Sequence, residues 1–440
     1  MTAQPRLLAG VSRADITPPV GMQMAGFAAR GRNTGYHDPL TATALFLTDG
    51  QTQAAVVACD LLFVSADFAD RVGAEVERRG GPPAAHLLLC CSHTHYGPPV
   101  PPGSDPETSA MVEAYWAHLA FVLAGVVLDA AARQAPVRLG LGRGTCAVNV
   151  NRRERRADGT IILGQNPTGF TDREVQVVRL DTDAGQPLAT LVNYPCHGVC
   201  LSGRWTTFSA DFPGALRQVL EPVTGAPVLF LQGAAGNHNP AAMGNDYANA
   251  RQTGQALAEE AGRVWTGVAP QAAAGLALAT TTLELPGIRF GSREKALRLG
   301  ERFRREEAEL RQRPGTQPGH LRWLEKLRGR AEAAVCAWDE GRTAPGPTCR
   351  VQAMRFGAAA LAATAGEVFA EIGAEVRRRS PLPGALFAAY TNGDIGYIPV
   401  PQAYEEGGYE VEMACRVDPQ AAELLTRACL EQLARVAGPP

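Results

Sequence analysis

The chain has 440 residues, of which 45% are hydrophobic and 20% are charged, and its 42 basic and 44 acidic side chains give a net charge of −2. This apolar content excludes a disordered chain, and the near-neutral balance gives no electrostatic reason to expect a nucleic-acid partner. A chain of this length can bury a large core without disulfides or structural metals.

The amino terminus reaches Leu7 without the apolar segment and cleavage site of a signal peptide. The longest uncharged apolar stretch, 114–128, is shorter than the roughly 20 residues that a membrane-spanning helix needs, so it predicts a buried helix and no membrane span. Ten cysteines without a Cys-x-x-Cys pair indicate buried thiols rather than a disulfide scaffold. We therefore expect a cytoplasmic protein.

Short apolar runs alternate with segments of helical periodicity along the chain. In chain order, the pattern predicts strands over 54–60, 85–91, 187–194, 227–232 and 386–390, and helices over 65–79, 111–133, 209–220, 246–264 and 367–379. This alternation is typical of an α/β fold, here a layered mixed sheet flanked by helices.

The segment 291–341 differs from the rest because it is rich in Arg, Glu and Lys, with one interruption at 313–319. Its leucines have helical spacing, which predicts a charged helical hairpin inserted into a single domain that spans 1–440. Two interpretations of the hairpin stay open: a solvated structural insertion, and a lid or partner surface.

A buried strand ends in the His-x-His of His93 and His95. On a strand these two side chains point to the same face, where they could bind a metal or act as ligand and acid/base. Ordinary polar loop residues are the alternative interpretation.

Three further strands also end in polar, glycine-spaced segments, at 193–198, 232–240 and 390–397, and the first of these contains His197. If the strands share a sheet edge, their ends converge there. Zinc is the metal that suits imidazole ligands, and Glu367 is the carboxylate best placed to join them. Glu367 is also expected to open a helix, where its other interpretation is a charge that complements the helix dipole.

The sequence resembles the neutral, non-lysosomal ceramidases, which are zinc-dependent amidases. The resemblance is carried by short blocks in the same order along nearly the whole chain: 10–21, 24–27, 93–98, 151–152, 166–167, His197, 209–211, 392–397, Tyr404 and 409–410. It implies a ceramidase-like catalytic domain.

The resemblance also implies roles for individual residues. His93, His197, Glu367 and Tyr397 match zinc ligands, and His95 would stand beside the Zn²⁺ ion as a proton shuttle or a substrate hydrogen-bond partner. Arg152 and Tyr409 match residues that hold the polar head of the substrate or stabilise the oxyanion.

The chain departs from the family pattern at the turn 236–240, where Asn239 stands in place of a serine and His238 adds a titratable group. Asp394 replaces an aromatic residue, and about 30 residues follow Tyr409 where ceramidases continue into a further β-domain. Asn239 and His238 are therefore added to the candidate catalytic residues, and long-chain ceramide is not the expected substrate.

We expect a zinc-dependent hydrolase that cleaves the amide bond of a small acyl compound, in the field of lipid metabolism. The alternatives are a metal-dependent esterase, lactonase or deacylase acting on a polar molecule, and a non-catalytic zinc-containing binding protein. A homo-oligomer is also considered.

Overall fold

The computed structural model describes residues 5–27, 30–101, 105–316 and 318–438. The first four residues, Gln317 in the predicted break of the hairpin and the last two residues of the predicted domain lie outside the described residues. The strands are β1 (Leu8–Asp15), β2 (Gly35–Tyr36), β3 (Thr41–Thr48), β4 (Gln53–Cys59), β5 (Leu87–Cys91), β6 (Ala135–Thr145), β7 (Asn149–Arg155), β8 (Ile161–Asn166), β9 (Glu174–Thr182), β10 (Pro187–Tyr194), β11 (Thr207–Phe208), β12 (Val228–Gln232), β13 (His238–Pro240), β14 (Gln271–Ala272), β15 (Leu276–Glu284), β16 (Thr348–Phe356), β17 (Ala359–Thr364), β18 (Glu367–Val368), β19 (Ala385–Ala388) and β20 (Tyr397–Ile398). The helices are α1 (Ala66–Arg78), α2 (Ser109–Ala132), α3 (Asp211–Thr224), α4 (Tyr247–Gly267), α5 (Arg293–Gln312), α6 (Pro318–Asp339), α7 (Ala370–Arg379), α8 (Pro401–Glu406) and α9 (Ala421–Ala437), with a 3₁₀ turn at Ala84–His86 and a π-helical turn at Glu410–Ala414.

Two mixed sheets form the centre of the molecule. The larger has the strand order β12-β10-β9-β6-β1-β3-β4-β5, with β14 beside β6, and the smaller has the order β15-β16-β17-β19. Most neighbours are antiparallel, but β4 with β5, β10 with β12, and β17 with β19 are parallel. The prediction of an α/β fold with mixed sheets flanked by helices is therefore confirmed, although the sheets number more than one.

Alternation along β4 shows how these layers stack. Ala54, Val56 and Ala58 belong to an apolar core that also contains residues of the smaller sheet, so this face lies between the two sheets. Ala55, Val57 and Cys59 belong to a second core that contains residues of α1 and α2. Both faces of the strand are buried, which explains its continuous run of apolar residues.

Helix α2 is longer than the apolar stretch that predicted it. Its 24 residues are long and apolar enough to cross a membrane by length and composition, and 44% of the apolar window is buried. The inner face, which includes Leu119, Leu123 and Val127, packs into the same core as α1. This packing favours the interpretation of α2 as a core helix.

Helices α5 and α6 lie within the charged segment 291–341 and pack against one another. Their basic side chains reach the segment 404–415 of the chain: Lys295 donates to the Tyr404 carbonyl, Arg302 to the Glu412 carboxylate, and Arg330 to the carbonyls of Met413 and Cys415. The hairpin is therefore laid against the π-helical turn that follows Tyr409.

Two details of the predicted local structure are wrong. Glu367 does not open a helix: it lies in the two-residue strand β18, paired in parallel with Tyr397 of β20, and α7 begins only at Ala370. The four polar strand ends do not share one sheet edge either, because β19 belongs to the smaller sheet. They meet because the segment 389–392 after β19 forms main-chain hydrogen bonds with Gln232 at the end of β12 and with Leu89 and Cys91 of β5.

Candidate metal centre

Three imidazole rings meet with their Nε2 atoms turned toward one another. The Nδ1 atom of each ring contacts a main-chain carbonyl, to which it can only donate: His93 to Leu62 at 2.8 Å, His95 to Gly26 at 2.7 Å, and His197 to Ala235 at 2.7 Å. In the neutral tautomer this leaves each Nε2 unprotonated, with its lone pair directed into the cluster. A carbonyl that fixes the tautomer in this way is a usual partner of a metal-ligating histidine.

The donor atoms have the spacing that a tetrahedral ion requires. His93 Nε2 lies 3.1 Å from His197 Nε2 and 3.2 Å from His95 Nε2. Glu367 Oε2 lies 3.3 Å from His93 Nε2 and 3.2 Å from His197 Nε2, and it is a buried oxygen without a hydrogen-bond donor. Zinc ligands at about 2.0–2.1 Å in tetrahedral geometry are about 3.3–3.4 Å apart. His93, His197 and Glu367 therefore fit zinc in their donor types and their mutual spacing.

Burial and neighbouring charges together favour the protonation states that a metal site needs. It lowers the pKa of His197 to about 3, with the Arg152 charge as the next cause, and it lowers the pKa of His95 well below its usual value. For Glu367, burial alone would raise the pKa, but His93 and His197 outweigh it and hold the pKa well below its usual range. Neutral imidazoles and an ionised carboxylate are the forms that bind a metal.

The rings of His93 and His95 converge, but not because the two residues alternate along a strand, as the sequence predicted. Strand β5 ends at Cys91, and His93 has a φ of 61°, a left-handed conformation that is rare outside glycine. Such strain is often found at functional sites. Gly198 allows this turn to lie close to the His197 segment, since a Cβ there would be 2.7 Å from the His93 carbonyl oxygen. The turn, and not strand alternation, brings the two rings together.

Tyr397 and Tyr409 lie beside the cluster. Pairing of β18 with β20 places Tyr397 opposite Glu367, and the Tyr397 hydroxyl lies 3.5 Å from His197 Nε2. The Tyr409 ring stands edge-on to the Tyr397 ring, with centroids 6.0 Å apart, and is partly exposed. Burial raises the pKa of Tyr397 well above its usual value and that of Tyr409 to about 12. Both tyrosines are therefore neutral phenols at neutral pH before any metal binds.

Arg152 in β7 is buried against the same cluster. Its Nη1 lies 3.1 Å from His197 Nε2 and 3.3 Å from Asn239 Oδ1, and its Nε donates to Glu410 at 2.8 Å. Burial by itself would lower the Arg152 pKa, but Tyr397 and Glu410 outweigh that effect and raise it. A permanently cationic hydrogen-bond donor therefore borders the cluster of candidate metal ligands.

Asn239 and His238, which depart from the family pattern in the turn 236–240, have different surroundings. Strand β13 pairs antiparallel with β7, and Asn239, opposite Val150, contacts Arg152. His238 is not brought to the cluster: its Nε2 contacts the Phe170 carbonyl at 3.2 Å and its Nδ1 is 3.5 Å from the Asn149 side chain. Burial lowers the pKa of His238 to about 4. Its main-chain carbonyl accepts from the His197 amide, so His238 acts on the site through the backbone.

Two residues at the site were not among the sequence-based candidates. Glu410 is buried, and its carboxylate accepts from Arg152 and, at 2.7 Å, from Arg153. Tyr390 lies with its ring centroid 4.2 Å from that of His93, and its buried hydroxyl has no partner. Glu410 directly follows Tyr409, and Tyr390 ends one of the predicted strands, so position was the available signal for both.

Comparison with solved structures identifies the fold. A crystal structure of neutral ceramidase from Pseudomonas aeruginosa matches with a TM-score of 0.72 and 18% identity, over 98% of this chain and 74% of that chain. A structure of ceramidase complexed with C2 matches with a TM-score of 0.74 and 17% identity, over 98% of this chain and 75% of that chain. No family model and no curated protein matches the sequence. The chain therefore has a neutral ceramidase-like fold, as the resemblance predicted.

Proposed function

We propose that this protein is a zinc-dependent hydrolase that cleaves the amide bond of a small acyl compound. The observation that supports it best is the convergence of His93 Nε2, His197 Nε2 and Glu367 Oε2 at mutual separations of 3.1–3.3 Å, with His95 Nε2 3.2 Å from His93 Nε2. His95 is proposed to stand beside this set, as the resemblance implies, because the ligand atoms of the three histidines are spread over as much as 4.8 Å. Zinc in this position would supply an activated water and a Lewis acid for the acyl carbonyl.

Two side chains could stabilise negative charge that develops on the acyl oxygen. Tyr409, whose pKa is raised to about 12, is a neutral phenol and can donate a hydrogen bond from the exposed side of the cluster. Arg152 can donate from the buried side, where a preformed donor is more effective than in water. The two donors approach the cluster through different elements, the turn at 409–414 and strand β7.

Asn239 argues for direct attack by water rather than a covalent acyl-enzyme. An amide cannot serve as a nucleophile, and its Oδ1 is already held by Arg152 Nη1 at 3.3 Å. In the proposed reaction a water oxygen bonds to the acyl carbon, the C–N bond breaks, and a proton passes to the departing nitrogen. The acid and the amine are the two products.

The proposal is tested by metal analysis of the purified protein together with a hydrolysis screen. We expect about one zinc per chain, lost in His93→Ala and His197→Ala, and amine release from N-acyl amino acids, N-acyl sugars or short-chain ceramides. Protein that stays folded but takes up no zinc would refute the metal site. Turnover of lactones or esters without amides would favour an esterase or lactonase, and tight ligand binding without turnover would favour a binding protein. The cytoplasmic location and the homo-oligomer stay predictions.

A further inference from the structure

We propose that the substrate of this site carries a carboxylate a few bonds from the scissile amide, as an N-acyl-α-amino acid does. The inference rests on the proposed hydrolase function and names its substrate class. It comes from two groups that border the histidine cluster: Arg152, which has one N–H group without an acceptor, and Asn239, whose Nδ2 has only a weak acceptor, the Met243 sulfur.

Arg152 presents the first of these donors. Its Nε donates to Glu410, and its Nη1 faces His197 and Asn239, but its Nη2 is buried and has no partner. A buried N–H without an acceptor is unfavourable, and more so on a charged group, so a ligand oxygen that accepts from it gains affinity. A guanidinium N–H without an acceptor is suited to a charge-assisted hydrogen bond from Nη2 to a carboxylate oxygen.

Asn239 presents the second donor. Because its Oδ1 accepts from Arg152, the amide is oriented with Nδ2 outward, where its contact is the Met243 sulfur at 3.7 Å. Sulfur is a weak acceptor, and Met243 is 46% exposed. Asn239, which stands where the family pattern has a serine, therefore has its Oδ1 on Arg152 and its Nδ2 on the exposed Met243 side chain.

The carboxylate acceptors near Arg152 already have arginine partners. Both oxygens of Glu410 are taken, one by Arg152 and one by Arg153, and Glu406 is shared by Arg153 and Arg155. Three guanidinium groups thus meet two carboxylates in this chain of ion pairs. The unpartnered N–H of Arg152, beside carboxylates that are already paired, favours a ligand group that is anionic and can accept hydrogen bonds.

The position of Arg152 limits how far that group can be from the reacting carbon. Its Nη1 is 3.1 Å from His197 Nε2, so the guanidinium adjoins the metal cluster itself. In an N-acyl-α-amino acid the carboxylate is only a few bonds from the scissile acyl carbon, so a carbonyl held at the histidine cluster would bring the carboxylate close to Arg152. Hydrolysis of such a substrate consumes one water and releases a carboxylic acid and a free α-amino acid.

A matched pair of ligands tests the inference: N-acetyl-L-leucine and its primary carboxamide, which differ in the charge of one group. We expect the acid to bind metal-free protein more tightly in calorimetry, and to be hydrolysed by zinc-loaded protein with a higher kcat/KM. A hydrogen bond to a charged group contributes about 1.5–3 kcal/mol, or about 10- to 150-fold. Arg152→Met should abolish the preference for the acid, and Asn239→Ala should reduce it.

Two further variants keep the test decisive. Arg152→Lys retains the positive charge but not the planar guanidinium. It replaces Arg152→Met if that variant does not fold, and it should show a reduced preference for the acid. Arg304→Met, on an exposed ion pair with Glu332 in the hairpin, is the matched arginine control and should leave both ligands unchanged.

Equal binding of acid and carboxamide to the wild type would overturn the inference. An equal loss for both ligands in Arg152→Met would overturn it as well, since it would show a role in fold or oxyanion stabilisation alone. Arginine-dependent binding of the acid without hydrolysis would retain the carboxylate site and refute the hydrolase, so the two failures are distinguishable.

Discussion

Replacing His197 by alanine is expected to weaken zinc binding strongly, while the same change at His238 is expected to leave it unchanged. The two histidines are fully buried, and each contacts a main-chain carbonyl through one ring nitrogen. They differ in that His197 Nε2 lies within 3.2 Å of both His93 and Glu367, whereas the His238 ring contacts Phe170 and Asn149. The pair therefore separates loss of a ligand from loss of packing.

The magnitude follows from the number of donor atoms. Four-ligand zinc sites bind with about 10–16 kcal/mol, so one of four donors accounts for about 2.5–4 kcal/mol. That is about a 10²–10³-fold weaker zinc affinity for His197→Ala. Truncating a buried ring should cost either variant about 2–5 kcal/mol of unfolding free energy. The hydrogen bond from the His197 amide to the residue 238 carbonyl uses main-chain atoms and survives in both variants.

The assay is zinc competition against a chromophoric chelator, with circular dichroism and urea unfolding on the same samples. His238→Ala should be destabilised but bind zinc like the wild type. If the two variants lose zinc affinity equally, the geometric assignment of the cluster is wrong. Unchanged zinc affinity in His197→Ala would remove that side chain from the ligand set.

Three other predictions concern the protein around the site. Chelation should lower the free energy of unfolding of zinc-loaded protein, by about 4 kcal/mol if free zinc had been at a thousand times its Kd, and added zinc should restore it; an unchanged unfolding curve would contradict the metal site. Arg330→Met should speed amide hydrogen exchange across 404–417, because the Arg330 guanidinium bonds two carbonyls of that segment, whereas Arg304→Met should not; equal exchange in the two variants would exclude a positioning role for the hairpin. Burial raises the pKa of Asp211 to about 6, above its unfolded value, so the stability it contributes is full below about pH 4 and is lost as pH rises through 6. Between pH 4 and 7 the wild type should therefore lose about 3 kcal/mol in urea unfolding relative to Asp211→Asn, and parallel pH profiles would contradict this assignment.

Local sequence patterns were sufficient for the elements and for most of the cluster. The predicted strand at 187–194 is β10, and the helix at 65–79 is α1 with Ser65 as its N-cap. Both elements are recognisable because burial of the sheet on two faces leaves apolar runs, and helix ends need polar caps. His93, His95 and His197 were singled out since each follows a strand, where open α/β sheets place their sites.

Local patterns misplaced the residues whose positions depend on partners far away in the chain. Glu367 was assigned to a helix because a glutamate after a small-residue turn suits a first turn, but pairing with Tyr397 holds it in a strand. His238 was added to the candidate catalytic residues because it brings a titratable ring to the turn 236–240. Pairing of β13 with β7 places Asn239 against Arg152. The ring of His238 instead contacts the Phe170 carbonyl.

The sequence by itself determined the α/β class, the strand-end histidines and the resemblance that leads to the ceramidase-like fold. Tertiary structure alone decided which donors face the same point, that Glu410 links Arg152 to Arg153, and that Arg152 Nη2 is left without an acceptor. Apolar periodicity and helix capping depend on residues a few positions apart, so they can be recognised in a short stretch of sequence. The candidate metal centre brings together side chains up to 304 positions apart, counted between His93 and Tyr397, so its geometry exists only in the folded chain.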